Sequence, residues 1–422
     1  MRPGDLVVRN IGSLVTPVGP APRRGADLGA VRQVPRAALA ARQGRISYVG
    51  PEVDLPPEAA PAGAEAIDAQ GAVVVPGFVD AHTHLAYAGD RDDEIRRRLA
   101  GASYREIAAG GGGIVRTVAA TRAATADTLL AGLLGRLDEM LLCGTTSAEV
   151  KSGYGLDTAV EIRCLEAVRR AAELHPATVV PTFLGAHEVP PEHRARRQHY
   201  VDLVVDEMIP EVARRGLATF CDVFCEEGVF TVAESRRILE AARAAGLARR
   251  IHADELAWTG GAELAAEVGA RSADHLLFVS GAGMAALAGA GCAATLLPSA
   301  TFYLRLGRYA PARALVDAGV PVALATDGNP GGGLSPSMPF AMTVACFAMG
   351  LSLEEALSAA TLNAAYSLSL DGEVGSLEVG KRADLVVLRS PRLLDLLRVG
   401  IPAVREVVKD GRPVVRDGAR AG

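Results

Sequence analysis

The 422-residue chain lacks the cysteine patterns of disulfide-stapled proteins and of thiolate metal sites. No two of its six cysteines form a C-x-x-C pair, and most of them lie in apolar runs, which is typical of reduced thiols in a cytosolic protein. We therefore expect a cytoplasmic protein with no disulfide. The six are Cys143, Cys164, Cys221, Cys225, Cys292 and Cys346.

An excess of positive charge is also absent. The chain has 44 Lys and Arg against 49 Asp and Glu, a net charge of -5, so it lacks the broad basic surface that attracts nucleic acid or anionic membranes. Residues 1–10 contain Arg2, Asp5 and Arg9 without a following apolar stretch, so we expect no secretory signal there. These absences favour a small-molecule partner, with neither nucleic acid nor membrane.

One long segment has no charged side chain, namely Leu276–Leu304. It is rich in alanine and glycine and reaches Pro298, whereas a membrane span needs about 20 continuous apolar residues. The segment is therefore predicted to be a short helix followed by a buried strand.

Eight short apolar runs alternate with amphipathic stretches such as Asp157–Leu174. Strands that alternate with helices predict a parallel sheet covered on both faces, and eight such units predict an α/β fold of the (β/α)8 TIM barrel type, assigned to residues 73–373. The eight runs are Val73–Val79, Thr145–Val150, Thr178–Leu184, Thr219–Phe224, Arg249–Ala253, Ser272–Leu276, Cys292–Leu297 and Val320–Thr326.

The two ends of the chain have a different pattern, with short strands separated by tight turns. We expect residues 1–72 and 374–422 to form one small discontinuous β-sandwich domain beside the barrel. Its predicted strands are Leu6–Val8, Arg45–Val49, Asp384–Leu388, Val404–Lys409 and Pro413–Val415.

Polar residues follow the predicted barrel strands, at the end where such barrels carry their chemistry. His82 and His84 follow strand one, and His252 and Asp327 end strands five and eight. A His-x-His pair alone also fits ordinary core and surface histidines, but these four together predict a catalytic site for zinc or iron. Other strand-end polar residues are Lys151, Tyr154, His187, Glu226, Glu227, Glu255, His275, Ser299, Arg305 and Asn329.

A hydrolytic metal site also needs a group that moves a proton. Glu255, three residues beyond His252, and His275 on the next strand are the candidates, and Asp327 can share the task. Glu255 could instead orient a metal ligand, and His275 could make a purely structural hydrogen bond.

Several motifs give the chain a close family resemblance. It resembles the imidazolonepropionase family of the amidohydrolase superfamily over nearly its whole length. The motifs at 75–85 and 375–388 are common to many amidohydrolases, whereas K-S-G-Y-G-L and F-L-G-A-H distinguish this family better from the others. The motifs are V-P-G-F-V-D-A-H-T-H-L (75–85), K-S-G-Y-G-L (151–156), F-L-G-A-H (183–187), D-V-F-C-E-E-G (222–228), H-A-D-E-L (252–256), S-A-D-H-L (272–276), A-T-D-G-N-P-G (325–331) and G-S-L-E-V-G-K-R-A-D-L-V-V-L (375–388).

The resemblance implies hydrolysis of the cyclic amide of 4-imidazolone-5-propanoate to N-formimidoyl-L-glutamate in histidine degradation, with one zinc or iron ion per chain in a homodimer. The implied metal ligands are His82, His84, His252 and Asp327, and the implied catalytic residues are Glu255, His275 and Asp327. The implied contacts to the carboxylate-bearing substrate are Arg91, Tyr104, Tyr154, His187, Glu255, Asn329, Gly331 and Gly332.

The chain departs from the family pattern at Ala81, where proline is common, and at Gly328, where an aromatic residue is frequent. The run Gly331–Gly333 replaces a loop richer in Ser and Thr. The run of glycines before Ile114 lacks the context of a nucleotide site and is interpreted as a substrate loop.

Three other functions stay open at this point. One is a related deaminase acting on guanine or cytosine, and another is a two-metal hydrolase bridged by a carboxylated Lys151. The third is a catalytically silent barrel that acts as a binding scaffold.

Overall fold

The computed structural model describes residues 3–59, 61–102, 106 and 111–421. Among the predicted substrate contacts, Tyr104 lies outside these residues, as does Gly110 of the glycine run.

Eight parallel strands form the barrel in the described part of the chain, and they follow one another around it in sequence order. Almost every residue of these strands is buried, as expected for a parallel sheet covered on both faces. The predicted (β/α)8 barrel is therefore confirmed. Its strands are β6 (Phe78–Asp80), β7 (Thr145–Lys151), β8 (Thr178–Ala186), β9 (Phe220–Cys225), β10 (Ala248–Ala253), β11 (Ser272–His275), β12 (Ala293–Leu296) and β13 (Val322–Leu324).

The last strand is joined to the first by contacts at the end of β6 and just beyond β13. Thr326 donates its backbone N–H to Asp80 Oδ1 at 3.1 Å and its hydroxyl to Asp80 Oδ2 at 2.5 Å. Asp327 N donates to His82 O at 3.0 Å, and Thr83 forms a parallel bridge with Gly328. This closure places the His82 segment directly beside Asp327.

The predicted first strand is wrong in its first half. Residues Val73–Pro76 form β5, which pairs with the terminal strands β1 and β14, and only Phe78–Asp80 pairs with β7 in the barrel. The chain changes sheets at Gly77, where a Cβ atom would lie 2.3 Å from Thr146 Oγ1. The sequence does not reveal this change of sheet, because β5 and β6 are both apolar.

Strands from both chain ends form a second sheet, which is mixed and contains nine strands among the described residues. The small β domain built from both termini is thus present, and its strands all belong to one continuous hydrogen-bonded sheet. Three of these strands were not predicted: β2, whose alanine-rich run does not look like a strand, the short β4, and the two-residue β17. The strands are β1 (Leu6–Pro17), β2 (Val31–Arg42), β3 (Arg45–Pro51), β4 (Glu65–Asp68), β5 (Val73–Pro76), β14 (Leu385–Leu388), β15 (Val404–Lys409), β16 (Arg412–Arg416) and β17 (Ala419–Arg420).

Helices cover the outside of the barrel, and several begin at side-chain caps. Asp157 accepts a hydrogen bond from Val160 N, and Thr231 with Glu234 forms a capping box. The described α-helices are α1 (Asp92–Leu99), α2 (Ile114–Ala123), α3 (Ala126–Leu142), α4 (Thr158–Leu174), α5 (Arg197–Leu203), α6 (Ile209–Arg214), α7 (Val232–Ala244), α8 (Gly261–Glu267), α9 (Gly281–Ala290), α10 (Pro298–Leu304), α11 (Ala312–Asp317), α12 (Met338–Met349), α13 (Leu353–Ala359) and α14 (Leu362–Ser367).

The uncharged segment Leu276–Leu304 contains the helix α9, the buried strand β12 and the short helix α10. Within the residues described, no helix has the length and apolar character needed to cross a membrane.

Candidate metal centre

Three histidine rings converge at the C-terminal mouth of the barrel. His84 Nε2 lies 3.1 Å from His82 Nε2 and 3.3 Å from His252 Nε2, and all three side chains are buried. Burial holds the pKa of His82 and of His84 well below 6.5, so both rings are neutral. Three imidazole nitrogens that point at one small volume are the arrangement that a transition metal requires.

Asp327 adds a carboxylate oxygen to this cradle. Its Oδ1 lies 3.6 Å from His82 Nε2 and 3.4 Å from His84 Nε2, and this buried atom has no hydrogen-bond partner within the described residues. Burial raises the pKa of Asp327 to about 7. Its backbone has a φ of 58°, a strained conformation of the kind found at functional sites. The donor set therefore fits a metal ion.

Two buried carboxylates that sequence analysis missed face the outer nitrogens of these histidines. Asp274 Oδ2 lies 2.6 Å from His82 Nδ1, and Asp222 Oδ2 lies 3.1 Å from His252 Nδ1. The available signal was an acidic residue inside an otherwise apolar barrel strand. Partners of this kind orient metal-binding imidazoles.

Lys151 is paired with buried carboxylates. Its Nζ lies 2.7 Å from both Glu149 Oε2 and Asp222 Oδ2 beneath the histidines. Burial alone would lower the pKa of Lys151, but these two carboxylates outweigh it and raise the pKa above 10.5. A fully paired ammonium group is unsuited to carboxylation, which speaks against the two-metal alternative.

Glu255 and His275 lie side by side on the wall of the same cavity, with His275 Nδ1 3.5 Å from Glu255 Oε1. Burial, with the charges of Asp327 and Glu226, raises the pKa of Glu255 well above 4.5. Burial lowers the pKa of His275 well below 6.5. Glu226 accepts hydrogen bonds from the backbone N–H of Glu255 and Leu256 at 3.0 and 2.8 Å, so it holds this turn.

The same cavity is also lined by Arg91, Tyr154 and His187, and its volume is about 590 Å³ including the open mouth. His187 stacks on His84 with ring centres 4.9 Å apart and donates its Nδ1–H to Gly153 O at 2.9 Å. Arg91 donates Nε–H to Thr117 Oγ1, whereas its buried Nη2 has no hydrogen-bond partner among the residues that the structure describes. One edge of the guanidinium is thus available to an anion in the cavity.

Asn329 lines the cavity close to Asp327. Its Nδ2 donates to Asp327 O at 2.7 Å, and its Oδ1 accepts from Gly331 N and Gly332 N at 2.8 and 2.7 Å. The amide is therefore bonded within its own loop. A Cβ atom at Gly331 would lie 2.3 Å from Arg91 Nη1, so glycine lets this loop approach the guanidinium.

Helix α1, which sequence analysis left without a role, connects two loops of the cavity. Glu94 Oε1 accepts a hydrogen bond from Gly113 N at 2.9 Å. One turn further on, the buried Arg98 donates through Nη1 to Gly331 O at 2.9 Å.

Some strand-end residues lie away from the cavity. Arg305 donates to Arg98 O, and Glu227 is exposed. Trp258 is 61% exposed and is not part of the cavity wall.

A parallel barrel with a histidine metal cradle at its C-terminal mouth defines the class of metal-dependent hydrolases. The profile described as Amidohydrolase family matches residues 73–415, so the chain belongs to the amidohydrolase family.

Several curated relatives of high identity carry the same name. Proteins named imidazolonepropionase match the chain at 53% identity in Symbiobacterium thermophilum and at 49% in Geobacillus kaustophilus, with 99% of both chains covered in each case. The imidazolonepropionase of Myxococcus xanthus is 49% identical, covering 98% of this chain and 97% of that one.

Solved structures of lower identity share the fold. A zinc-bound adenosine deaminase from Xanthomonas campestris aligns with a TM-score of 0.71 at 20% identity, covering 99% of this chain and 94% of that one. Guanine deaminase from E. coli aligns with a TM-score of 0.71 at 19% identity, covering 98% of this chain and 99% of that one.

Proposed function

We propose that this chain is an imidazolonepropionase, which hydrolyses the cyclic amide of 4-imidazolone-5-propanoate to N-formimidoyl-L-glutamate in histidine degradation. The observation that carries this proposal is 53% identity over 99% of both chains to a relative of that name. The cavity supports it, because a metal cradle and an available arginine edge face the same space.

The proposed cofactor is one zinc or iron ion per chain, held by His82, His84, His252 and Asp327. Neutral imidazoles and a buried carboxylate suit either metal. When bound, the ion would supply a Lewis acid that polarises the amide carbonyl and activates water.

Glu255 is the proposed proton carrier. Its raised pKa suits a group that takes a proton from the attacking water and returns it to the ring nitrogen as the C–N bond breaks. His275, 3.5 Å away, is the proposed hydrogen-bonding partner of the carbonyl oxygen as negative charge develops there.

The propanoate group is the proposed partner of Arg91, Tyr154 and His187. A guanidinium edge matches a carboxylate with two parallel hydrogen bonds, and Arg91 has a buried nitrogen ready for one of them. Asn329, Gly331 and Gly332 support this contact by holding their loop against Arg91. Tyr104 remains a predicted substrate contact.

The direct test is hydrolysis of enzymatically generated imidazolone propanoate, with guanine and cytosine as control substrates. We expect turnover of the imidazolone alone, because neither nucleobase carries a carboxylate for Arg91. Turnover of a nucleobase without turnover of the imidazolone would instead establish the deaminase alternative.

We also propose that the chain acts as a cytoplasmic homodimer. Free thiols at all six cysteines support a reducing compartment, and the dimer is an inference from the family. Light scattering of the purified protein tests the dimer. The division into residues 1–72 with 374–422 and residues 73–373 is likewise proposed, and the pairing of β5 supports a first boundary just after Pro76.

A further inference from the structure

Five charged side chains lie inside the barrel directly beneath the metal cradle, and each is 0% exposed. Two are cations and three are carboxylates, and we call them the buried charge network. Burying unpaired charge is costly, so such a group persists only when each member has a partner of opposite charge. The network consists of Glu149, Lys151, Asp222, Arg250 and Asp274.

Lys151 joins the carboxylates on one side of this network. Its Nζ lies 2.7 Å from Asp222 Oδ2 and 2.7 Å from Glu149 Oε2, and 3.9 Å from Asp274 Oδ2. One ammonium group therefore fixes the positions of acidic side chains on β7 and β9. Asp274 on β11 lies within ion-pair distance of it but too far away for a hydrogen bond.

Arg250 joins the carboxylates on the other side. Its Nε lies 3.0 Å from Glu149 Oε1, and its Nη2 lies 3.2 Å from Asp274 Oδ2. The same Nη2 donates to Ala81 O at 2.8 Å, so Arg250 also holds the backbone next to His82.

The carboxylates in turn face two of the three cradle histidines. Asp274 lies 2.6 Å from Nδ1 of His82, and Asp222 lies 3.1 Å from Nδ1 of His252. A carboxylate at Nδ1 keeps the ring proton there and leaves the Nε2 lone pair for a metal ion.

We propose that Lys151 and Arg250 are positioning residues for the metal site, acting through Asp222 and Asp274 on the tautomer and orientation of His252 and His82. The proposal rests on the metal site proposed above and is independent of the substrate. Each cation holds a carboxylate at the position where that carboxylate can bond an imidazole nitrogen. Loss of the cation should therefore loosen a metal-binding histidine that the cation itself does not contact.

The test compares Lys151→Met with Lys409→Met. Lys409 is a matched control, because it is also a buried lysine, with Nζ 2.6 Å from Asp384 Oδ2 in the terminal sheet. Zinc affinity of metal-stripped protein is measured by competition with a chromogenic chelator, alongside the free energy of unfolding. We expect about a 10- to 100-fold loss of zinc affinity in Lys151→Met. Lys409→Met should lose stability but keep the wild-type affinity.

Asp274→Asn provides a second variant should Lys151→Met fail to fold, because the amide has nearly the same shape. Nitrogen NMR of ¹⁵N-histidine-labelled, metal-stripped protein reports the tautomer. We expect the wild-type His82 to carry its proton on Nδ1, and the variant to show a mixture of tautomers with weaker zinc binding. Wild-type tautomer and affinity in this variant, or wild-type affinity in Lys151→Met, would overturn the positioning role. A wild-type protein that binds no zinc or iron would instead overturn the metal site itself.

Discussion

At the scale of single residues, different side chains of the cavity suit metal binding and carboxylate binding. His82, His84, His252 and Asp327 lie together, and Arg91 lines the same cavity with a guanidinium nitrogen, Nη2, that has no hydrogen-bond partner among the described residues. A cyclic amide with a carboxylate tail can lie between them, its carbonyl toward the histidines.

Replacing Arg91 with lysine should weaken substrate binding, because an ammonium group cannot form paired hydrogen bonds to a carboxylate. Losing one charge-assisted hydrogen bond of about 1.5–3 kcal/mol predicts a KM roughly 10- to 100-fold higher, with a smaller change in kcat. Steady-state kinetics measure both. Arg116→Lys, at an exposed ion pair on α2, is the control and should leave KM unchanged.

Glu255→Gln should lower kcat by about 10²- to 10⁴-fold, since the amide cannot carry the proton. Metal content, measured by elemental analysis, should stay at the wild-type value. The exposed Glu227→Gln is the matched control. A kcat for Glu255→Gln within a few-fold of wild type would assign the proton transfer to another group.

Site residues at strand ends could be predicted from sequence, because a barrel brings those ends together. Asn329 was among these residues, but the hydrogen bonds of its amide within its own loop could not be predicted, because a short turn has no periodic sequence pattern. Of the buried charge network, only Lys151 was named from the sequence. The other four members lie inside predicted barrel strands, but their pairing depends on which side chains of different strands face one another, and the sequence alone does not give this.

At the scale of elements, helix α1 connects the catalytic mouth to two glycine-rich loops. Its buried face places Glu94 and Arg98 one turn apart, and each bonds the backbone of a different loop. The helix therefore sets how closely the Gly331 loop approaches Arg91.

Arg98→Met should release Gly331 O and raise KM by about 10-fold, the loss expected from a hydrogen bond to a charged group. Arg97→Met, its exposed neighbour on the same helix, should leave KM unchanged. Equal KM values for the two variants would show that α1 does not position the loop. Circular dichroism checks that both variants are folded.

The alternation of helices and strands was predictable, because apolar residues are spaced differently in amphipathic helices and in buried strands. The change of sheet at Pro76 and Gly77 was not, because β5 and β6 are both apolar and only their partners distinguish them.

At the scale of the whole molecule, the C-terminal strand β17 contacts the barrel layer. Arg420 lies against both Asp138 on α3 and His175 after α4, with Arg420 Nη1 3.1 Å from His175 Nε2. Burial lowers the pKa of His175 below 6.5. Strand β17 therefore contacts the barrel layer beside His175, a histidine that is protonated less readily than a free one.

This site should make the protein less stable in acid. Below pH about 6.5 the unfolded chain takes up a proton at His175 that the folded chain takes up less readily, so the free energy of unfolding falls as pH decreases. His175→Gln should therefore lose less stability than wild type between about pH 7 and pH 5.5. Urea unfolding at a series of pH values measures this, and parallel curves for the two proteins would contradict it.

We infer that the histidine cradle and Arg91 belong to one active site, that of a metal-dependent imidazolone hydrolase. The most direct measurement of this claim is the rate of imidazolone propanoate hydrolysis by metal-stripped protein before and after addition of one equivalent of zinc or iron. We predict negligible turnover before and full turnover after, with no deamination of guanine or cytosine in either state. Equal rates with and without metal, or no turnover of the imidazolone by the reloaded protein, would contradict the claim.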